Sequence, residues 1–367
     1  MVILIRTTSL ELLYRIQRRE NGTEISQEQV GSTMTSGQGG AKKYLPDVQY
    51  ITEQNEDLKT RLDNCPKKEH HKHFISMQTF VGNKWTNINA RYKDFNQLPE
   101  FLECMSSLTG MIIVEEINKT SHTTTTGSGF IHKIRRVNQK DCPCHECSKN
   151  GNQEKGFAIL TVTTVLHVFD KESKKALETG MIVENWEPKN TKVRLFYDEE
   201  NEENKTFIYG YRLLETDKEI NIESDWCSVE CVTHDMELVQ ELEANLNKYM
   251  ELQGEIYRKS KELSLNDLVI IIGHPHGGPK MISVGEHTNK KILKEVRNYQ
   301  QWCSYEYDNI TCFGNSGSPI FILGQPLCGF GYWFGHPHNH SKCFTVDEKE
   351  VKGGCSSVGV EHFVETN

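Results

Sequence analysis

The chain has 367 residues, a net charge of −9, 36% hydrophobic and 25% charged residues, and 12 cysteines. No apolar run approaches the roughly 20 residues of a membrane span, and the acidic balance argues against a general nucleic-acid binder. A globular protein of about two or three domains is the expectation.

Met1 to Ile5 is apolar but is followed at once by Arg6. The run is too short for a signal peptide, so reduced thiols and a cytoplasmic location are expected. Asn-x-Ser/Thr sites at Asn21, Asn118, Asn204, Asn309 and Asn339 would matter only in a secreted chain. Residues 9–20 read as a helix with Leu10, Leu13 and Ile16 on one face, and 21–43 as a polar linker. Residues 46–64 read as a second helix, on the spacing of Val48, Ile51, Leu58 and Leu62. Asn55 at an interior position suits a short coiled coil and self-association; packing on a neighbouring domain is the other reading. Lys67 to His73 reads as a solvated basic patch rather than a metal site. From about residue 107 the pattern changes to short β-branched runs: 111–114, 129–134, 157–165, 193–196 and 207–213. Residues 236–262 interrupt them with helical spacing at Met236, Val239, Leu242, Leu246 and Met250. Strands return at 268–273, 280–284, 319–323 and 329–333.

The stretch Phe313-Gly314-Asn315-Ser316-Gly317-Ser318-Pro319 carries the chemistry. Glycines at 314 and 317 permit a tight turn with positive φ. Such a turn can aim the amides of Gly314 and Ser316 at one point beside the Ser316 hydroxyl, as acyl transfer requires. A serine needs a base, and His167 ends the apolar run 157–169. Asp235 precedes alternating apolar residues and is the candidate third member; its competing role is the N-cap of the following helix. Asp225 and Asp170 are poorer alternatives, since neither precedes an alternating apolar run. The chain order His167, Asp235, Ser316 matches one of the unrelated triad architectures.

On these residues the chain resembles a chymotrypsin-like serine protease, nearest to intracellular and bacterial members. Gly127 to Ile131 is similar to the strand before the family's histidine, Leu160 to His167 to its histidine motif, and Val269 to Gly277 to the start of its second barrel. The resemblance covers about residues 105–335. It implies a mostly β fold with two six-stranded antiparallel β-barrels. Residues 1–100 would form a helical and linker extension. Residues 101–263 would form the first barrel with His167, Asp235 and the helical insert 236–262, and residues 264–367 the second barrel with Ser316. It further implies a serine endopeptidase acting on protein or peptide substrates, with no cofactor in the chemistry and no nucleic-acid or membrane partner. Asn315 stands where secreted digestive members carry an aspartate, so no trypsin-type zymogen switch is expected. Tyr332 and Trp333 are the expected substrate-binding residues. A histidine among His336, His338 and His340 could favour an acidic or amide side chain in the substrate; an exposed polar loop is the competing reading.

Cys142, Cys144 and Cys147 form a C-x-C-x-x-C knuckle suited to structural zinc, with a disulfide or simple thiols also open. Tetrahedral zinc needs a fourth ligand, for which Cys227, Cys231 and His145 are candidates. Cys312 stands where secreted relatives carry a disulfide cysteine. No partner is evident, so a buried thiol is expected. The rival functions are a catalytically silent protein-binding scaffold and, more weakly, a zinc hydrolase.

Overall fold

A computed structural model describes residues 43–362, apart from short gaps and the stretches 83–87, 151–155, 170–186, 201–204, 215–224 and 326–335. Two short strands come first, β1 (Lys43–Pro46) and β2 (Gln49–Ile51). Helix α1 (Leu58–Asp63), strand β3 (Ile75–Ser76) and helices α2 (Met77–Gly82) and α3 (Leu98–Ser107) follow. The helix expected over 46–64 is thus confined to its last turns. Gln49–Ile51 pairs with a barrel strand and Val48 is buried, so tertiary pairing overrides a weak helical spacing. Asp57 caps what remains, accepting from the Thr60 amide at 2.8 Å. The helix expected at 9–20 and nearly all of the linker lie outside the described residues.

The first barrel uses β4 (Thr109–Asn118), β5 (Ser121–Val137), β6 (Phe157–Val165), β7 (Thr191–Leu195), β8 (Thr206–Leu214) and β9 (Trp226–Thr233). They run antiparallel in the order β5–β4–β7–β8–β9–β6, and β6 pairs back onto β5, which closes six strands. Every residue of β6 and β9 is buried. A closed small barrel fills its interior with side chains and leaves no edge. Helix α4 (Met236–Leu263) leaves β9 where the helical spacing begins.

The second sheet holds β10 (Leu268–Gly273), β11 (Met281–Arg297), β12 (Gln300–Tyr307), β13 (Ile320–Ile322), β14 (His338–Val346), β15 (Lys349–Ser356) and β16 (Gly359–His362). Among the described residues it curls as a half-barrel, with β1 added beyond β14. Helices α3 and α4 cover the seam between the two sheets. Phe101 stacks on Tyr249 with centroids 4.8 Å apart and meets Phe321 at 4.8 Å, while Tyr249 meets Phe130 of β5 at 5.1 Å. Burial of each such ring stabilises by roughly 1.5–3 kcal/mol, so the helices bind the halves together. Asn309 and Asn339 are buried, which closes two of the Asn-x-Ser/Thr sites to modification in the folded chain. No helix among the described residues is long and apolar enough to cross a membrane.

Candidate active site

Strand register builds the site. In the β6–β9 ladder Val165 lies opposite Trp226, so the residues just beyond β6 meet those just before β9. His167 sits on a single 3-10 turn after β6. Its backbone amide donates to Asp225 Oδ1 at 3.0 Å, and its Nδ1 contacts Asp225 Oδ2. Asp225 is itself held in a left-handed conformation (φ 54°) and accepts the Leu166 amide on its carbonyl at 3.0 Å. The other ring nitrogen, Nε2, lies 2.7 Å from Ser316 Oγ. His167, Asp225 and Ser316 are all buried.

Asp235 is not part of this constellation. It lies past the opposite end of β9, whose Thr233 pairs with Ala158. Ten residues of strand place it about 30 Å from His167. There it caps α4, accepting from the amides of Glu237 and Leu238 at 3.1 and 2.9 Å. Asp170 lies outside the described residues. The signal for Asp225 was present in the sequence, an acid at the mouth of the run Trp226 to Thr233. That run is buried on both faces, so it lacks the alternating pattern that follows Asp235.

The serine turn forms as its glycines allow. Gly314 and Gly317 adopt φ of 96° and 85°. A Cβ on Gly317 would lie 2.0 Å from Thr164 Oγ1, so no larger residue fits. Ser128 of β5 clamps the turn from the first barrel. Its amide donates to the Ser316 carbonyl at 2.7 Å, and its hydroxyl donates to the Gly314 carbonyl at 2.9 Å and accepts the His274 amide at 3.0 Å. The amides of Gly314 and Ser316 point to one place: both donate to the carbonyl oxygen of Asp47, at 2.5 and 3.2 Å.

The three histidines after residue 335 do not form an exposed loop. His336 and His338 are buried, and His340 lies half-buried with its ring stacked on His167, centroids 5.2 Å apart. Burial and the neighbouring His167 hold His340 down to about 4, which keeps it uncharged beside the base. His338 Nε2 lies 2.9 Å from Asp47 Oδ2, and its Nδ1 lies 2.5 Å from the Tyr307 hydroxyl. Burial pushes the Tyr307 phenol far up, so it donates to Nδ1 and leaves the Nε2 proton for the carboxylate. Burial opposes ionisation of Asp47, but Lys67 at 2.6 Å and His338 outweigh it and hold the carboxyl far below the usual carboxylate range. Tyr332 and Trp333 lie outside the described residues.

Three groups of side chains among the described residues have donor atoms close enough to hold a metal ion; one is His167, Asp225 and His340 of the site just described, and the other two lie apart from it. In the first of those two, His234 joins Cys142, Cys144 and Cys147, with its Nε2 at 3.3, 3.6 and 3.4 Å from their sulfurs. A tetrahedral zinc with bonds of about 2.3 and 2.0 Å separates sulfur from nitrogen by about 3.5 Å. His234 Nδ1 faces the Gly156 carbonyl at 3.4 Å, which turns Nε2 toward the sulfurs. Burial pushes the Cys144 thiol up, but the Cys147 amide and the His234 ring outweigh it and bring it down to about 7. Cys227 and Cys231 are instead buried in the barrel core and His145 lies outside the described residues. In the second group, Cys65 and Cys312 meet His71 and His276. The thiol of Cys312 is buried as expected, but it has close companions. His71 belongs to this group and not to a purely solvated patch. None of the described cysteines is in a disulfide.

No protein-family model matches the sequence, and no curated protein matches it. A closed six-stranded barrel beside a half-barrel is compatible with a chymotrypsin-like double barrel on architecture alone.

Proposed function

We propose that this chain is a serine endopeptidase of chymotrypsin-like type, with His167, Asp225 and Ser316 as its triad. The observation that carries the reading is the 2.7 Å contact between His167 Nε2 and Ser316 Oγ, with Asp225 on the far ring nitrogen and two converging amides beside the hydroxyl. In this reading Ser316 Oγ attacks the carbonyl carbon of the bond to be cut while His167 takes its proton. The amides of Gly314 and Ser316 stabilise the oxygen that becomes negative. Asp225 holds the Nδ1–H tautomer and stabilises the imidazolium. His167 then returns the proton to the leaving amine, and a water repeats the sequence on the acyl-enzyme.

A fluorophosphonate probe tests this directly. Covalent labelling that disappears in Ser316→Ala supports the enzyme. Absence of labelling in folded protein with an open cleft supports the silent scaffold, the reading that a filled cleft would otherwise favour.

The Cys142, Cys144, Cys147 and His234 group would hold a structural zinc. It gathers at the far end of β6 and β9, about 25–30 Å of strand from His167, so it takes no part in bond cleavage. Four protein ligands leave no open position for water, which argues against a zinc hydrolase. We expect His234→Ala to lose one bound zinc and to lower Tm by about 5–15 °C, because metal binding at such sites is folding free energy. Metal analysis and calorimetry check it. A chelator is expected to reduce turnover only as it unfolds the barrel.

A further inference from the structure

The chain from Lys43 to Ile51 crosses the active-site cleft as an extended peptide. Before Asp47, β1 pairs antiparallel with β14, Leu45 opposite Ser341 and Pro46 opposite His340. After Val48, β2 pairs antiparallel with β5, Gln49 opposite Thr126 and Tyr50 opposite Thr125. A peptide is thus added to a strand on each side of one bond, Asp47–Val48. At that bond the Asp47 carbonyl oxygen takes both amides of the serine turn. The Asp47 side chain is fully buried, between His338 Nε2 at 2.9 Å and Lys67 Nζ at 2.6 Å.

Resting on the proposed function, the geometry points to a further activity: the chain hydrolyses its own Asp47–Val48 bond in cis, and the pocket holding Asp47 selects acidic side chains in other substrates. Ser316 Oγ bonds to the Asp47 carbonyl carbon and passes its proton to His167. The C–N bond breaks, and the Val48 nitrogen takes that proton as the new amino terminus. Water then adds to the Asp47 ester, giving its proton through His167 to the departing Ser316 oxygen and leaving Asp47 with a free α-carboxylate. Among the described residues β1 is an edge strand held on one side, so the released segment can leave and open the cleft. Selection follows from the pocket itself. An ammonium and an imidazole N–H, the latter fixed by Tyr307, satisfy a carboxylate and would stand unpaired against an apolar side chain.

The test follows the full chain by intact mass and N-terminal sequencing. Wild type is expected to yield a product beginning at Val48, at a rate constant independent of protein concentration. Ser316→Ala and Asp47→Lys are expected to stay whole. Asp47→Lys places an ammonium against Lys67, so its segment leaves the pocket and a fluorophosphonate reaches Ser316 in the uncut chain. Processed wild type should cut peptides with Asp or Glu before the scissile bond at least about 100-fold faster than peptides with Lys. If wild type stays whole while Asp47→Lys takes the probe, self-processing is overturned and the proposed function stands. If neither is cut and neither takes the probe, both fail. A cut elsewhere, or a preference for Lys, overturns the inference.

A separate observation carries a second inference. The Cys312 sulfur lies 3.3 Å from the Cys65 sulfur, 2.9 Å from His276 Nε2 and 3.4 Å from His71 Nε2, and the two histidine nitrogens are 3.2 Å apart. A disulfide would place the sulfurs near 2.05 Å. Four donor atoms at these spacings outline a coordination tetrahedron. Gln49 Oε1 lies 3.0 Å from His276 Nδ1 and accepts its proton, so the Nε2 lone pair faces the group. The structure assigns a second four-ligand site for zinc here, Cys2His2 in composition, tying residues 65–71 to the turn that carries Ser316. Purified wild type is expected to hold about two zinc per chain. His71→Ala, at the rim, and Cys312→Ser should each lower this to about one. Cobalt in place of zinc should give thiolate absorption that falls by about two fifths in Cys312→Ala, since two of five thiolates belong to this site and the other site's three persist. Wild type holding one zinc, or either variant retaining two, overturns it.

Discussion

Ser316→Ala is expected to lower kcat by about 10⁶-fold toward a fluorogenic peptide. The serine oxygen is the only atom proposed to bond covalently to substrate, and nothing in the site replaces it. The change should leave the fold intact. Within the turn the hydroxyl bonds His167 and the Asn339 carbonyl at 3.3 Å, while the amides that shape the loop belong to the backbone. Its circular dichroism should therefore show the same secondary structure as wild type, as for a substitution that creates neither a large cavity nor a lost cap. Adding His167→Ala to Ser316→Ala should cost almost nothing more, because a base without its nucleophile has no proton to take. A double variant far below the single one would mean that the two residues do not act as a unit.

Asp225→Asn is expected to lower kcat about 10⁴-fold. An amide beside Nδ1 can present its N–H₂ and turn the ring to the tautomer whose Nε2 carries a proton, which then cannot accept one from Ser316. Asp235→Ala gives the opposite profile. It removes the cap of α4, costing about 1 kcal/mol and so roughly 2–4 °C in Tm, with kcat unchanged. Peptide kinetics and calorimetry on the two variants separate the assignments. A catalytic collapse in Asp235→Ala with normal turnover in Asp225→Asn would reverse them.

The sequence exposed what depends on local chemistry. A serine between two glycines that need positive φ has few structural uses, and a histidine at the end of a β-branched, largely apolar run is visible by eye. The features that long-range register decides were hidden. An aspartate before a run of apolar residues reads as a triad member or as a helix cap, and only the pairing of Val165 with Trp226 brings Asp225 rather than Asp235 beside His167. The same ladder, at its other end, brings His234 to the hairpin that carries Cys142 to Cys147. The segment around Val48 has apolar residues at helical spacing. Its shape is set by the cleft it occupies, which residues from the whole chain assemble. His338 and His340 alternate as strand residues do, but their burial depends on β1 lying against β14.

Ser128 has a consequence for how the molecule can fail. One residue on the first barrel shapes the donor pocket of the second, its hydroxyl through Gly314 and His274 and its backbone amide through Ser316. Any strain that shifts one half against the other reaches these bonds and through them the two amides. The donor pocket is therefore only as well ordered as the seam, whose apolar core both halves share.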